Sequence, residues 1–331
     1  MTLRRLVTVA IVSCILACRR SADTSFKVAL LTPGPISDAG WNAGAYEGLM
    51  RIRDSLGATV SQVQTRTPAE FEGAFRDYAR RGFNLVFGHG FEFQDAAARV
   101  GAEFPRTIFV TTSGSTVRPN QSPMVFRLEE GTYLAGMLAG GITRTGRIGF
   151  VGGIELPPVR GTFLGFQAGA RAVRPSVDVL QAYIGNFEDV AAAKENALAQ
   201  IRRGADVLIH NADAASFGVF QAARESPGVL AMGSNRDQNG VAPDVIVGSA
   251  TLDLPHALLL VARMVKEGRF SPGVMFFGIR DGVVGFIYNP ALAARVPEDL
   301  RRRIAAARDS IVVGALKVRG VEFVRDSAAT R

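Results

Sequence analysis

Cysteine is nearly absent from this 331-residue chain: Cys14 and Cys18 are the only two, and both lie near the N-terminus. The remainder therefore holds no disulfide, no thiol nucleophile and no cysteine metal site. Histidine is scarce too. His89, His210 and His256 are far apart, and no His-Glu-x-x-His occurs, so neither a metal nor a cofactor is expected. A Gly-x-Ser-x-Gly elbow and a P-loop are also missing, and Gly146, Gly149, Gly152 and Gly153 do not fit a dinucleotide fingerprint. This inventory is thin for an enzyme. Beyond the N-terminus no apolar run approaches the ~18 residues that span a bilayer. There are 38 Lys+Arg against 30 Asp+Glu, but the excess is dispersed, without a basic stripe or a recognition motif, so no nucleic-acid partner is expected.

What is present is a globular composition, 47% hydrophobic and 21% charged, over a length that suits two lobes. The N-terminus carries the most specific local signal. Arg4 and Arg5 precede an apolar run, Leu6 to Ala17, too short to cross a membrane and shaped like a secretory signal. It ends Ile15-Leu16-Ala17-Cys18, which resembles the lipobox of bacterial lipoproteins, and Arg19-Arg20 close the apolar segment. The expectation is a signal over 1–17, diacylglycerol on Cys18, a polar tether over 18–25, and location at the extracytoplasmic face of a membrane. An ordinary cleaved signal with an incidental cysteine is the plainer alternative.

Strand and helix patterns then alternate. Apolar runs at 26–31, 84–88, 107–111, 147–152, 206–210, 228–232 and 244–248 read as strands. Segments 41–56, 68–81, 92–103, 131–143, 160–173, 188–203, 214–225 and 253–268 carry helical spacing. Such an array predicts an α/β fold with parallel sheets. Arg80-Arg81-Gly82 recurs as Arg202-Arg203-Gly204, an offset of 122 that also sets Leu85-Val86-Phe87 on Val207-Leu208-Ile209 and Trp41 on Phe163. One offset for several landmarks predicts two similar lobes. The junction is expected near Thr143–Gly146. The first lobe would comprise 26–143 with about 252–275, and the second 144–251 with about 276–331.

Ligands of open parallel sheets bind at the carboxyl ends of the strands, and two-lobe proteins bind them between the lobes. The loop after the first strand, Thr32-Pro33-Gly34-Pro35-Ile36-Ser37-Asp38-Ala39-Gly40-Trp41-Asn42, lies at such an end. It offers a carboxylate, an indole and an amide for binding. Its plainer reading makes Asp38 a helix cap and turns Trp41 inward. Phe91, His210, Asn211 and Asp213 follow later strands and join the candidates. His210 reads equally as a cleft residue or as a satisfied, half-buried histidine. Gly161, Gly165 and Gly169 recur every four residues, which favours close approach of a helix to a sheet over a phosphate cradle.

Several segments together resemble the basic membrane protein family of solute-binding lipoproteins that serve ABC importers. They are Asp38-Ala39-Gly40-Trp41-Asn42 with Ala45-Tyr46-Glu47-Gly48, Glu130-Gly131-Thr132-Tyr133-Leu134-Ala135-Gly136, Gly146 to Gly153, and Gly165-Phe166-Gln167-Ala168-Gly169-Ala170. Tyr183 to Phe187, Gly204 to Val207, Asp237-Gln238 and Gly278 to Gly282 extend the likeness over about Lys27 to Lys317. The resemblance implies a periplasmic-binding-protein type I fold: two Rossmann-like lobes, three hinge crossings and a nucleoside-like ligand between them. It implies that Trp41 stacks on the base, that Asp237 accepts from ribose hydroxyls, and that Arg280, where the family usually has lysine, donates to the same sugar. Phe163, Phe187, Phe217 and His210 all remain open as the second stacking partner. Two aspartates that bear on the base edge in nucleoside-binding relatives fall on Thr32 and Ser113, which puts the ligand, more than solute capture, in question.

The expected protein is a monomeric, lipid-anchored receptor for an ABC permease and ATPase. A ligand-sensing domain of a signalling system and an exported nucleoside hydrolase are the alternatives from other classes. Stable anchoring takes two acyl chains, which one diacylated cysteine supplies. Cys18→Ser should therefore leave unprocessed precursor or released protein; normal acyl labelling of that variant contradicts the anchor.

Overall fold

A computed structural model describes residues 25–38 and 40–320; the signal segment, Cys18 and nearly all of the tether lie outside the described residues. The described residues form two six-stranded sheets. The first contains β1 (Lys27–Thr32), β2 (Thr59–Gln64), β3 (Leu85–Gly88), β4 (Ile108–Thr112), β5 (Gln121–Phe126) and β11 (Met275–Phe277), in the order β11-β5-β4-β3-β1-β2. The second contains β6 (Arg147–Gly152), β7 (Asp178–Tyr183), β8 (Val207–Asn211), β9 (Leu230–Gly233), β10 (Ile246–Leu252) and β12 (Val284–Tyr288), in the order β12-β10-β9-β8-β6-β7. Strand for strand the two orders correspond, so the chain has two equivalent α/β lobes. Pairing is parallel throughout except for β12 on β10.

Val28 pairs with Leu85 and Ile148 with Val207. The offset between lobes is thus 148 − 28 = 120 at the first strand and 207 − 85 = 122 at the third. The 3-10 turns that follow β3 and β8, Phe91–Phe93 and Asp213–Ala215, keep the offset of 122. The supposed match of Trp41 with Phe163 does not hold. Trp41 opens its helix, whereas Phe163 lies a turn and a half into its own and is buried against Phe150.

The helices are α1 (Trp41–Leu56), α2 (Pro68–Arg80), α3 (Gln94–Glu103), α4 (Leu128–Ile142), α5 (Pro157–Val173), α6 (Val190–Arg202), α7 (Ser216–Arg224), α8 (Leu254–Lys266) and α9 (Glu298–Val312). Local chemistry explains their limits. Thr67 caps α2 through its hydroxyl, with Pro68 at the first helical position, and Gly57 ends α1 at φ +62°. Each sheet is sandwiched by helices around wholly buried central strands; Val28 to Leu31 and Leu208 to Ile209 are fully enclosed.

Three segments cross between the lobes and are bonded to one another. Arg127 N donates to Phe277 O, and Asp253 N to Val283 O. Ile279 N donates to the buried Glu130 carboxylate. The first crossing therefore lies at Arg127, ahead of the junction expected near Thr143, because α4 packs on α5, β10 and β12 of the second lobe. α8 returns to lie against α1 of the first lobe, and β11 extends the first sheet.

The glycine stripe of α5 serves close approach, but to a helix rather than a sheet. A Cβ at Gly169 would collide with the Tyr133 backbone of α4, and one at Gly136 of α4 with the Phe166 backbone of α5. This interlock brings the backbones of α4 and α5 into direct contact.

Candidate functional site

The strand ends of both lobes converge on one cleft. At the start of α1, Asp38 acts as the cap from two positions upstream of the first-turn boundary. Its carboxylate accepts from Gly40 N (3.0 Å), Asn42 N (2.7 Å), Ala43 N (2.9 Å) and Asn42 Nδ2 (2.9 Å). A carboxylate at a helix N-terminus is favoured by the exposed amides and the helix dipole. These four bonds commit Asp38 to shaping the loop.

Trp41 is held on its other side by His89, which sequence reasoning noticed only as a failed metal ligand. The rings stack at 4.1 Å with 20° between planes, and Phe126 meets the indole edge-on at 6.0 Å. His89 follows β3; its Nε2 lies 3.0 Å from Trp41 O and its Nδ1 2.8 Å from Thr112 Oγ1. A carbonyl only accepts, so Nε2 carries the proton and Nδ1 accepts from the threonine hydroxyl. Burial pushes His89 down to about 3, so the ring is neutral at physiological pH.

Trp41, Phe91, Phe126 and Phe187 form the aromatic walls of an inner slot of about 80 Å³. Glu92, Ser113, Thr162, Asn211, Asp213 and Asn235 supply its polar atoms. The slot opens into an outer chamber of about 680 Å³ that shares Pro33, Glu92, Leu156, Phe187 and Asp213 with it. The only non-glycine residues with positive φ among the described residues are Ser113 (+88°), Asp213 (+44°) and Asn235 (+69°), and all three line the slot. Sparsely allowed backbone of this kind persists where the surroundings impose it, commonly at ligand sites. Asn235 Nδ2 lies 3.3 Å from Asp213 Oδ1, joining two of them.

Other sequence candidates fall elsewhere. Thr32 is buried beside the slot, donating to Gly34 O and accepting from Gln62 Nε2. Asn42 and Asp38 line the outer chamber. His210 is a core residue: its Nε2 lies 2.9 Å from Gln238 Oε1, Phe220 meets it edge-on, and burial lowers it to about 4. Of the four proposed stacking partners only Phe187 lines the cleft; Phe163 is core and Phe217 lies outside the lining. The expected sugar clamp is not assembled. Asp237 is exposed and caps Asn239 N at 3.0 Å, while Arg280 is exposed and donates to Val312 O at 2.8 Å. Asn235, two residues before Asp237 and just past the end of β9, takes the cleft position. The rule that strand ends face the cleft could have found Asn235, His89 and Phe126 alike.

Among the described residues no group of three or more His, Cys, Asp or Glu could hold a metal ion. No described helix is long and apolar enough to cross a membrane. Two equivalent lobes, three bonded crossings and an aromatic slot between strand ends define a two-lobe solute-binding protein. A model of the family described as "ABC transporter substrate-binding protein PnrA-like" matches residues 25–317, and the chain belongs to that family. Basic membrane protein A2 of Borrelia garinii subsp. bavariensis is 29% identical over 296 residues, covering 86% of each chain. A solute-binding protein of an ABC transporter system from Conexibacter woesei superposes with a TM-score of 0.73 at 28% identity, covering 90% of this chain and 99% of the other. One from Aeropyrum pernix gives 0.80 at 22% identity, covering 88% and 92%, which bears on the fold. The family is one of extracytoplasmic binding proteins with small-molecule ligands and an ABC permease as partner, which fits the thin catalytic inventory.

The neutral histidines make a checkable contribution to stability. An unfolded histidine binds a proton near 6.5, whereas folded His89 refuses it until about 3. The unfolded state thus holds more protons, and this contribution declines as pH falls through that window, by about 1.4 kcal/mol per pH unit. Carboxyls raised by desolvation, such as the half-buried Glu129 at about 7, act in the opposite sense, so the comparison must be with a variant. The urea-derived stability difference between wild type and His89→Gln should shrink as pH drops from 6.5 to 4.5. A difference independent of pH would show that His89 is charged or exposed.

Proposed function

We propose that this protein is a lipid-anchored receptor that captures a nucleoside or a related small heterocycle for import. The observation that carries the ligand class is the Trp41–His89 stack at the slot wall. With His89 against one indole face, the opposite face is left to take a ring from the cleft, and Phe187 approaches from the second lobe. Stacking on an aromatic side chain is worth ~1–3 kcal/mol per base and tolerates different bases. Slot amides and hydroxyls then set orientation through hydrogen bonds of ~0.5–1.5 kcal/mol each. Neutral Thr32 and Ser113, in place of family aspartates, favour loose discrimination between bases. Contacts from both lobes favour a closed form over an open one when the slot is filled. The anchor rests on the lipobox ending at Cys18.

Calorimetry with adenosine, guanosine, inosine, uridine and adenine tests the reading. At least one should bind, and Trp41→Ala should weaken it by a factor of about 5–150, the equivalent of ~1–3 kcal/mol. Unchanged affinity in Trp41→Ala removes the stacking platform; no binding by any of the five removes the ligand class.

A further inference from the structure

The charges around the cleft are one-sided. Glu92 and Asp213 line both chambers, and Asp38, Glu188 and Asp189 line the outer one; Arg66 is the one cation among the described residues of either lining. Asp38 is committed to the α1 cap and Asp189 to the Ala192 amide. Asp213 is different. It is 8% exposed, its hydrogen bond comes from the Asn235 amide at 3.3 Å, and no cation pairs with it among the described residues. Glu92 lines the slot with its carboxylate packed over Gly90, where a Cβ would press against it. One acceptor beside the outer chamber is unanswered. Asn42 is 3% exposed, gives its Nδ2 to Asp38, and leaves Oδ1 buried without a partner. The cleft is thus rich in carboxyls and poor in cations, and its walls are aromatic faces that attract cations.

We infer that the solute is a flat heterocycle bearing a positive charge, which lies against Trp41 and presents its charge and N–H donors to Asp213 and Glu92. This rests on the reading of the slot as a heterocycle site and names the charge of its occupant. Burial, with Asp38 and Glu92 adding repulsion, raises Asp213 well above the usual carboxylate range, and burial raises Glu92 as well. A cation between the two carboxyls relieves both, whereas an anion adds a like charge to a site that has no cation in its inner slot. Nucleotides are therefore refused, which separates the free heterocycle from its phosphorylated forms.

Two matched pairs test this by calorimetry near pH 6: adenosine with 1-methyladenosine, and guanosine with 7-methylguanosine, the methylated member of each pair carrying a cationic base. AMP serves as the anion. Using two pairs places the added methyl on two different ring edges, so one steric clash cannot decide the result. At least one cationic member should bind about tenfold or more tighter than its parent, and AMP about tenfold or more weaker than adenosine. Asp213→Asn, checked for an unaltered circular dichroism spectrum, should collapse the cation preference to about threefold or less, and Glu92→Gln should reduce it. If the parents bind and neither cation binds tighter, or if Asp213→Asn weakens cationic and neutral probes equally, the charge assignment is wrong while the heterocycle reading stands. If no probe binds, both fall together.

Discussion

Asp38 accepts three backbone amides and one side-chain amide at the start of α1, and the geometry of the first-lobe face of the cleft follows from that cluster. An uncapped helix end with four free amides could not be buried at a cleft. Satisfied by one carboxylate, it can, and it delivers Trp41 as the first helical residue at a fixed angle. His89 then locks the indole from behind, bonded to the Trp41 carbonyl and to Thr112. Three consecutive strand ends of the first sheet, after β1, β3 and β4, thus cooperate to hold one ring. Removal of the capping carboxylate should be felt at the ring as well as in stability, where a cap is worth ~0.5–2 kcal/mol.

The second lobe contributes a different kind of rigidity. Asp213 and Asn235 sit in positive-φ conformations and are joined by a hydrogen bond, so the acidic wall is a strained but interlinked turn pair. The lobes also meet outside the cleft, where Arg236 lies 3.1 Å from Glu47 on α1. That ion pair is solvent-accessible and worth little alone. Hydrogen bonds from Arg127 N to Phe277 O and from Asp253 N to Val283 O tie the crossing segments to one another.

Much of the fold was legible because buried parallel strands and amphipathic helices carry strong patterns. Residues 41–56 read as one helix and form one. β2 and β7 were missed because they are partly exposed edge strands with polar residues, Thr59-Val60-Ser61-Gln62 and Asp178-Val179-Leu180-Gln181. Pro123 hid β5, and α9 was missed within the polar C-terminal segment Glu298–Val312. The lobe junction was misplaced because the Gly136 and Gly169 interlock binds α4 to the second lobe, and tertiary packing of this kind has no periodic signature.

The site was legible where strand-end logic applied. Asn211, Asp213, Phe91 and Trp41, taken from strand ends, line the slot, as does Ser113, which entered through the family resemblance. It failed for Asp237 and Arg280, where the family resemblance alone carried the assignment: both bond to neighbouring backbone, and Asn235, two residues before Asp237, lines the slot instead. His89 escaped notice because a stacking support has the same sequence appearance as any buried histidine. A slot that takes a flat heterocycle against Trp41 should retain it through purification. Native mass spectrometry of the purified protein, followed by release and identification of the bound molecule, tests it most directly. A small heterocycle should be present on wild type and lost from Trp41→Ala. A co-purifying sugar, peptide or other molecule without a planar ring, or a heterocycle retained in full by Trp41→Ala, would contradict it.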